Sequence, residues 1–404
     1  IPFVGLHAHS VAGSLFDALG YPPDHMDFAY ENGCDALALT DHGNANGLSH
    51  QVLHAKKMRE QGRTFKPIFG CEAYFIPSIS EWRDEYEKAL EDKKRAKSLG
   101  SELSGATVED ENSSKKVQDV LRRRRHLILL AQNQTGLQNI FKLISESYKS
   151  ENFYRYPRMD YDLLAKYGEG VIAASACLGG VYAGNFWENR EEGDEAVLNA
   201  MRETTRRMVA IFGDRWYGEL QWNNVPEQHK LNQFIIKMHE EFGIGLISTA
   251  DSHYPNPDAW KDRELYKRLG WLGKAAPSYE STELPIDVDE IGYELYPKNG
   301  DQMWESYKKY SAECGVEYDD DLVLQSIKHT HEIAHQRIED FLPDNTVRLP
   351  DFVVPAGYTA TQALVNMSIE GLRVKGFHND KEYTERLRHE LTVIDDRGFS
   401  KYFL

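Results

Sequence analysis

No apolar run in these 404 residues approaches the ~18 that a bilayer crossing needs, and no basic-then-apolar leader opens the chain. The location this implies is cytoplasmic. Cysteine is scarce, and the four present (Cys34, Cys71, Cys177, Cys314) lie far apart. That spacing argues against a disulfide frame and for reduced thiols. Positive charge is also short, with 47 Lys and Arg against 64 Asp and Glu, a net −17. A field of that sign opposes broad, sequence-independent nucleic-acid binding, so any grip on such a substrate has to be local. Internal repeats are absent as well.

What is present is an alternation of apolar runs and helical patterns through the first ~280 residues, the mark of a wound α/β fold. The strand candidates are Phe3–Leu6, Ala36–Leu39, Pro67–Phe75, Leu127–Leu130, Val171–Ala174, Trp216–Gln221 and Ile244–Ser248. Seven strands with 30–40 residues per unit fit an irregular (β/α)7 barrel. Helical spacing shows between them, as in Leu137, Ile140, Phe141 and Ile144. Residues 80–116 break the rhythm, being nearly all charged or small, and read as an exposed helical hairpin or a mobile insertion. After Tyr293 long helices take over. Val323, Ile327, Ala334 and Ile338 share one face, and Thr361 is expected to cap a helix burying Val365, Ile369 and Leu372. The expected division is a barrel over 1–285, its charged insertion at about 80–121, and a mostly helical segment over 286–404, with the boundary near 285–293.

Metal-type residues recur where strands give way to loops, the end at which barrels gather ligands. His7 and His9 are two apart on an extended segment and project from one side. Asp17, His42, Glu72, His126, Cys177, Asp251 and His253 follow at successive strand ends. Nine such donors suffice for two or three divalent ions, with a carboxylate such as Glu72 bridging. Taken singly each has a plainer role: Asp17 as a helix cap, Cys177 as core, Asp41 as an acceptor orienting His42. His126 is awkward, because it precedes its apolar run instead of following it. Its strand has to start earlier, or its side chain has to reach in from a bend. Jointly, the coincidence outweighs the plainer roles.

The motifs His7-Ala8-His9-Ser10, Thr40-Asp41-His42-Gly43-Asn44, Gly70-Cys71-Glu72-Ala73-Tyr74, His126-Leu127-Ile128-Leu129-Leu130-Ala131, Ser175-Ala176-Cys177-Leu178-Gly179 and Asp251-Ser252-His253-Tyr254 resemble the polymerase-and-histidinol-phosphatase (PHP) domain. Their order is similar to that domain at the head of the bacterial replicative DNA polymerase III alpha family. Gln132 to Asn139, Leu349-Pro350-Asp351-Phe352 and Gly398 to Leu404 extend the resemblance over nearly the whole chain. It implies a barrel with a trinuclear centre of Zn, Mn or Fe and phosphoesterase chemistry, which in polymerases acts as a 3′–5′ proofreading exonuclease. It assigns His7, His9, Glu72 and Asp251 to one ion, Glu72, His126 and Cys177 to a second, and Asp17, His42 and His253 to a third. His9, Glu72 and Asp251 would be the catalytic residues. Residues 286–404 would open a polymerase palm whose catalytic aspartates and Mg lie outside this chain. The implied partners are primer-template DNA, a sliding clamp and other replisome subunits.

Two readings of another class compete, a metal-loaded domain with a purely structural or recruiting role and a small-molecule phosphatase. A third signal is His331-Glu332-Ile333-Ala334-His335, which matches the H-E-x-x-H zinc-protease signature. No third ligand stands out for it, and Lys328-His329-Thr330 reads as a solvent face, so a connecting helix is the favoured reading.

Overall fold

The computed structural model describes residues 1–102, 108–271, 294–346, 348 and 352–404. The chain divides into two compact units, Ile1–Pro343 and Asp344–Leu404.

The first unit is built on β1 (Ala36–Leu39), β2 (Lys66–Phe75), β3 (Arg125–Ala131), β4 (Phe153–Tyr154), β5 (Tyr156–Met159), β6 (Val171–Ala174), β7 (Trp216–Gln221) and β8 (Gly245–Thr249). They run in the order β4-β5-β2-β3-β6-β7-β8, with β1 against β2. Pairing is parallel for β1/β2, β6/β7 and β7/β8, and antiparallel on both sides of β3. Phe3–Leu6, expected as a strand, is instead an extended segment with isolated bridges. Gly5 bridges Leu37 of β1, and Ala8 bridges Ser252 beyond β8. Its backbone groups are shared between two neighbours, so neither ladder grows, yet the segment closes the sheet into seven staves. The β4–β5 hairpin was not anticipated, because its two short runs carry Arg155, Pro157 and Arg158 among the aromatics.

Both faces of the staves are buried, which explains why they read as continuous apolar runs and not as alternations. Ala36, Ala38, Ile68, Ile128, Leu130, Ile172, Tyr217 and Ile247 fill one cluster with Val4 and Leu6. Leu37, Leu127, Leu129, Ala173 and Leu246 point the other way, under the helices. The helix Gln134–Ser147 shows the local logic. Asn133 caps it by accepting from the Gly136 N–H, and Leu137, Ile140 and Leu143 are buried.

The boundary expected near 285–293 falls outside the described residues, but packing of the first unit runs on to Pro343. Ile333, Ala334 and Ile338, which follow the helix Asp320–Glu332, join Ala36, Ala38 and Ile68 in the barrel cluster. Fully burying each isoleucine contributes about 1.5–3 kcal/mol. Lys328-His329-Thr330 is not a solvent face. Thr330 is buried and accepts from the Val4 N–H, while His329 Nδ1 lies 2.9 Å from the Leu246 carbonyl. The insertion contains the helices Ile79–Glu102 and Val108–Arg122. Its few apolar residues suffice for a satellite core of Ile79, Trp82, Ala89, Val117, Val120 and Leu121.

The second unit contains the helices Ala360–Val374 and Lys381–Asp396 and a last turn, Ser400–Phe403. Thr359, not Thr361, caps the first, in a reciprocal pair with Gln362. Val365, Ile369 and Leu372 are not buried but line an open groove of about 470 Å³ with Leu387 and Leu391. Two helices and a turn supply too few layers to cover them. The segment after Gly398 is helical; Phe399 holds its N-cap and accepts from the Tyr402 N–H.

Candidate metal centre

Alternation along the staves lifts the polar residues onto the rim of the apolar barrel floor. His126 shares the face of Ile128 and Leu130, Glu72 that of Ile68, and Glu219 that of Tyr217. The position of His126 is resolved by strand direction. Because β3 runs antiparallel to β2, its first residues sit beside the last of β2, with Tyr74 opposite His126 and Glu72 opposite Ile128. The start of a reversed strand thus shares an end with the finish of its neighbours.

All nine candidate ligands meet at this mouth. His7 Nε2 lies 3.0 Å from His9 Nε2 and 3.0 Å from Asp251 Oδ1. Glu72 Oε2 is 2.9 Å from His9 Nε2 and 3.1 Å from His42 Nδ1. Its other oxygen, Oε1, is 2.6 Å from His126 Nδ1, and Cys177 Sγ is 3.6 Å beyond that nitrogen. Asp17 Oδ2 is 2.8 Å from His42 Nε2 and 3.3 Å from His253 Nε2. The rings of His42 and His253 flank that of His9, with centroids at 4.3 and 4.4 Å.

The chemistry of these contacts fits cations better than hydrogen bonds. Glu72 Oε1, His42 Nδ1 and Asp251 Oδ1 are buried and receive or donate no hydrogen bond despite close neighbours. Two imidazole nitrogens facing at 3.0 Å cannot both offer lone pairs to each other, yet both can offer them to an ion between them. Burial works against charge throughout; opposite charges overcome it at His7, His253, Glu72 and Asp251, whereas at His126 burial outweighs Glu72 and lowers the pKa. His7 is held well above its usual value by Asp251, Glu219 and Glu72, and His253 is raised by Asp17 and Asp251. Against the same burial, His126, His42, His7 and His9 hold Glu72 well below the carboxylate range. His7 and His253 lower Asp251 in the same way. Burial together with Asp251 and Glu72 pushes the Cys177 thiol well up, so its use as a ligand requires a cation to displace the proton.

Asp41 does not orient His42. It accepts from the Ser10 N–H at 2.6 Å, the Ser10 hydroxyl at 2.9 Å and the Ser14 hydroxyl at 2.8 Å. Ser14 Oγ in turn sits 3.2 Å from His9 Nδ1, so Asp41 steadies His9 through the loop. Two further residues, Glu219 and Arg263, escaped the sequence reading. Glu219 Oε1 is 2.6 Å from His7 Nδ1 and accepts from Thr249 and from Gln221, whose amide lies 3.0 Å away. The signal for it was a carboxylate inside the apolar run Trp216–Gln221. Arg263, almost fully buried, donates to Asp17 Oδ1 at 2.8 Å. Arg124 stacks on Tyr156 at 3.9 Å and on Tyr74 at 5.6 Å, with its Nε buried and unpartnered.

Strain collects here as well. Four non-glycine residues among those described have left-handed backbone. One is Asp251 itself (φ 49°), and two immediately precede candidate ligands, Phe16 (φ 61°) before Asp17 and Ala176 (φ 60°) before Cys177. Such conformations cost about 1–3 kcal/mol each and persist where surrounding packing enforces them.

Curated relatives cover most or all of this chain but are much longer. DNA polymerase III subunit alpha of Aquifex aeolicus is 33% identical over all of this chain and 30% of its own length. That of Borreliella burgdorferi is 30% identical over all of this chain and 29% of its own. The Thermus aquaticus subunit is 31% identical over 92% of this chain and 26% of its own. The chain therefore spans about 30% of the length of these relatives. A solved amidohydrolase from Chromobacterium violaceum overlies 65% of this chain and 96% of its own at 16% identity, with a TM-score of 0.32, too distant to argue from. The model of the PHP domain matches residues 5–223, a run that takes in seven of the nine converging side chains, and the chain belongs to the PHP domain family.

Proposed function

We propose that the chain is the N-terminal part of a DNA polymerase III alpha subunit and that its barrel hydrolyses phosphodiesters at DNA 3′ ends. The observation that carries the reading is Glu72, one buried carboxylate whose two oxygens face separate sets of imidazoles. His7, His9, Glu72 and Asp251 would hold one ion, Glu72, His126 and Cys177 a second, and Asp17, His42 and His253 a third. Divalent ions held there supply nucleophile activation and neutralise charge on a scissile phosphate. The chain's own residues orient that chemistry. Glu219 accepts from His7 Nδ1 and leaves Nε2 facing the mouth, while Asp41 and Ser14 do the same for His9.

A groove of about 370 Å³ beside His126 carries Arg123, Arg124 and Arg125. Arg123 is paired with Glu85 and Arg125 with Glu188. Arg124, stacked and with its Nε free of a partner, is the group suited to a substrate phosphate next to His126. Such a local grip reconciles a nucleic-acid substrate with a net charge of −17. The test is removal of 3′ nucleotides from DNA with Mn²⁺ or Zn²⁺. Glu72→Ala and His9→Ala, each folded, should lose at least ~10²-fold. Hydrolysis of simple phosphomonoesters but never of DNA would replace the reading with a small-molecule phosphatase.

A further inference from the structure

The H-E-x-x-H segment takes no part in the mouth. Asp35 precedes β1 while His42 follows it, so Asp35 marks the opposite end of the barrel. There the structure supplies the third donor that the sequence lacked. Asp35 Oδ1 is 3.0 Å from His335 Nε2, and Asp35 Oδ2 is 3.8 Å from His331 Nε2. The two imidazoles lie 4.3 Å apart between centroids. One donor atom from each residue falls within 4.8 Å of the other two. A tetrahedral ion with ~2.0–2.1 Å bonds separates its ligands by about 3.3 Å. Side chains 32–51% exposed have the freedom to close that gap.

Their backbones do not move freely. Asp35 leads into Ala36 and Ala38, and its carbonyl accepts from the Lys66 N–H at 2.8 Å. His335 sits in a π-helical turn, Ile333–Arg337, a form that recurs at functional sites. Lys66, buried, caps that turn by donating its ammonium to the carbonyls of Ala334 and Ile338. Ile333, Ala334 and Ile338 are locked into the barrel floor on either side of His335. Donors on two immobile backbones lose little entropy when an ion draws them together.

We propose that Asp35, His331 and His335 form a second, structural cation site that takes a zinc-class ion with water in its remaining position. The ion would join residues 300 apart in sequence and staple the connecting helix to the first strand. Two neutral imidazoles and one carboxylate suit zinc better than magnesium or calcium. This inference is independent of the chemistry at the mouth.

The experiment uses the full chain and Zn²⁺ alone. Bound zinc is counted after equilibrium dialysis at micromolar free ion, and hydrogen exchange is followed over residues 331–338. The His331→Gln/His335→Gln double variant should bind one equivalent fewer than the parent and lose the zinc-dependent protection. Glu72→Gln, at the other end, should retain that protection. Asp35→Asn should also lose most of the equivalent. Equal stoichiometry and protection in parent and double variant would overturn the site. Full zinc binding in Asp35→Asn would overturn the three-residue assignment. Asp35, His331 and His335 are all solvent-accessible, so circular dichroism of their variants matching the parent is expected and confirms the comparison.

Discussion

Glu219 shows how much of the candidate metal centre would rest on residues that touch no ion. It accepts from His7 Nδ1 and from Thr249 and Gln221 in a dry part of the mouth. Removing it frees His7 to rotate and to change tautomer, so Glu219→Ala should lower metal affinity ~10–100-fold in a competition titration. Loss of affinity no larger than for a surface glutamate such as Glu203 would remove Glu219 from that role. Arg124 should behave in the opposite way. On the proposed reading Arg124→Ala would take away a phosphate contact and leave every candidate ligand in place, so metal content should stay constant while KM for DNA rises several-fold. Unchanged KM, or a fall in bound metal, would show that its stacking on Tyr156 is structural. The left-handed backbone at Ala176 and Asp251 places Cys177 and Asp251 at the mouth despite its cost.

At the scale of elements, the helix that follows the barrel belongs to it. Ile338 is almost fully buried against Ala36, Ala38 and Ile68, and Lys66 holds the turn before it. Ile338→Ala should cost ~2–4 kcal/mol of stability in denaturant unfolding, a core value and not that of a linker. A cost under ~0.5 kcal/mol would place the helix outside the cooperative unit. The staves themselves were legible, since both faces are buried and each therefore forms an unbroken apolar run. β1, β6 and β7 match the expected bounds residue for residue. Less legible was anything decided by partners distant in sequence. Nothing local in Phe3–Leu6 says that its ladder will be split between two neighbours. The reversal of β3 is written in its register with β2 and β6, so His126 looked misplaced until that register was known. Asp41 and His42 are adjacent in sequence, yet Asp41 serves the 10–14 loop, a choice made by tertiary packing. The donor residue types at the mouth were readable because strand ends punctuate the chain. Asp35 was not, because its partners lie 296 and 300 residues away.

The mouth of the first unit gathers carboxylates whose charge is met by histidines and, at Asp17, by Arg263. Buried Glu72 and Asp251 and half-buried Asp17 stay ionised, and the compensating charge on the ion-free chain comes from protons on His7, His42 and His253 and from Arg263 beside Asp17. These histidines are raised above 6.5 in the folded state. Their contribution to stability is complete below that value and is lost as pH rises through their folded values. The lowered carboxylates contribute above their unfolded values of 4.5 for Glu72 and 3.8 for the aspartates, and lose that contribution as pH falls through the folded ones. The ion-free fold is therefore most stable under mildly acidic conditions. Metal ions at the proposed site would substitute for those protons, so their binding would release protons and tighten as pH rises. Ligands on the N-terminal segment, β2, β3 and the loops after β1, β6 and β8 would then be tied together by the same ions. Chelation should lower Tm by several degrees near neutral pH, since a ligand at ~10³ times its Kd adds about 4 kcal/mol. The drop should be larger at about pH 8.5 than at about pH 6, because only the loaded chain escapes the loss of histidine protons. Differential scanning calorimetry with and without chelator at both pH values checks this. A chelator effect that shrinks as pH rises would mean that the mouth is stabilised by its own ion pairs, and that no cation resides between Glu72 and the histidines around it.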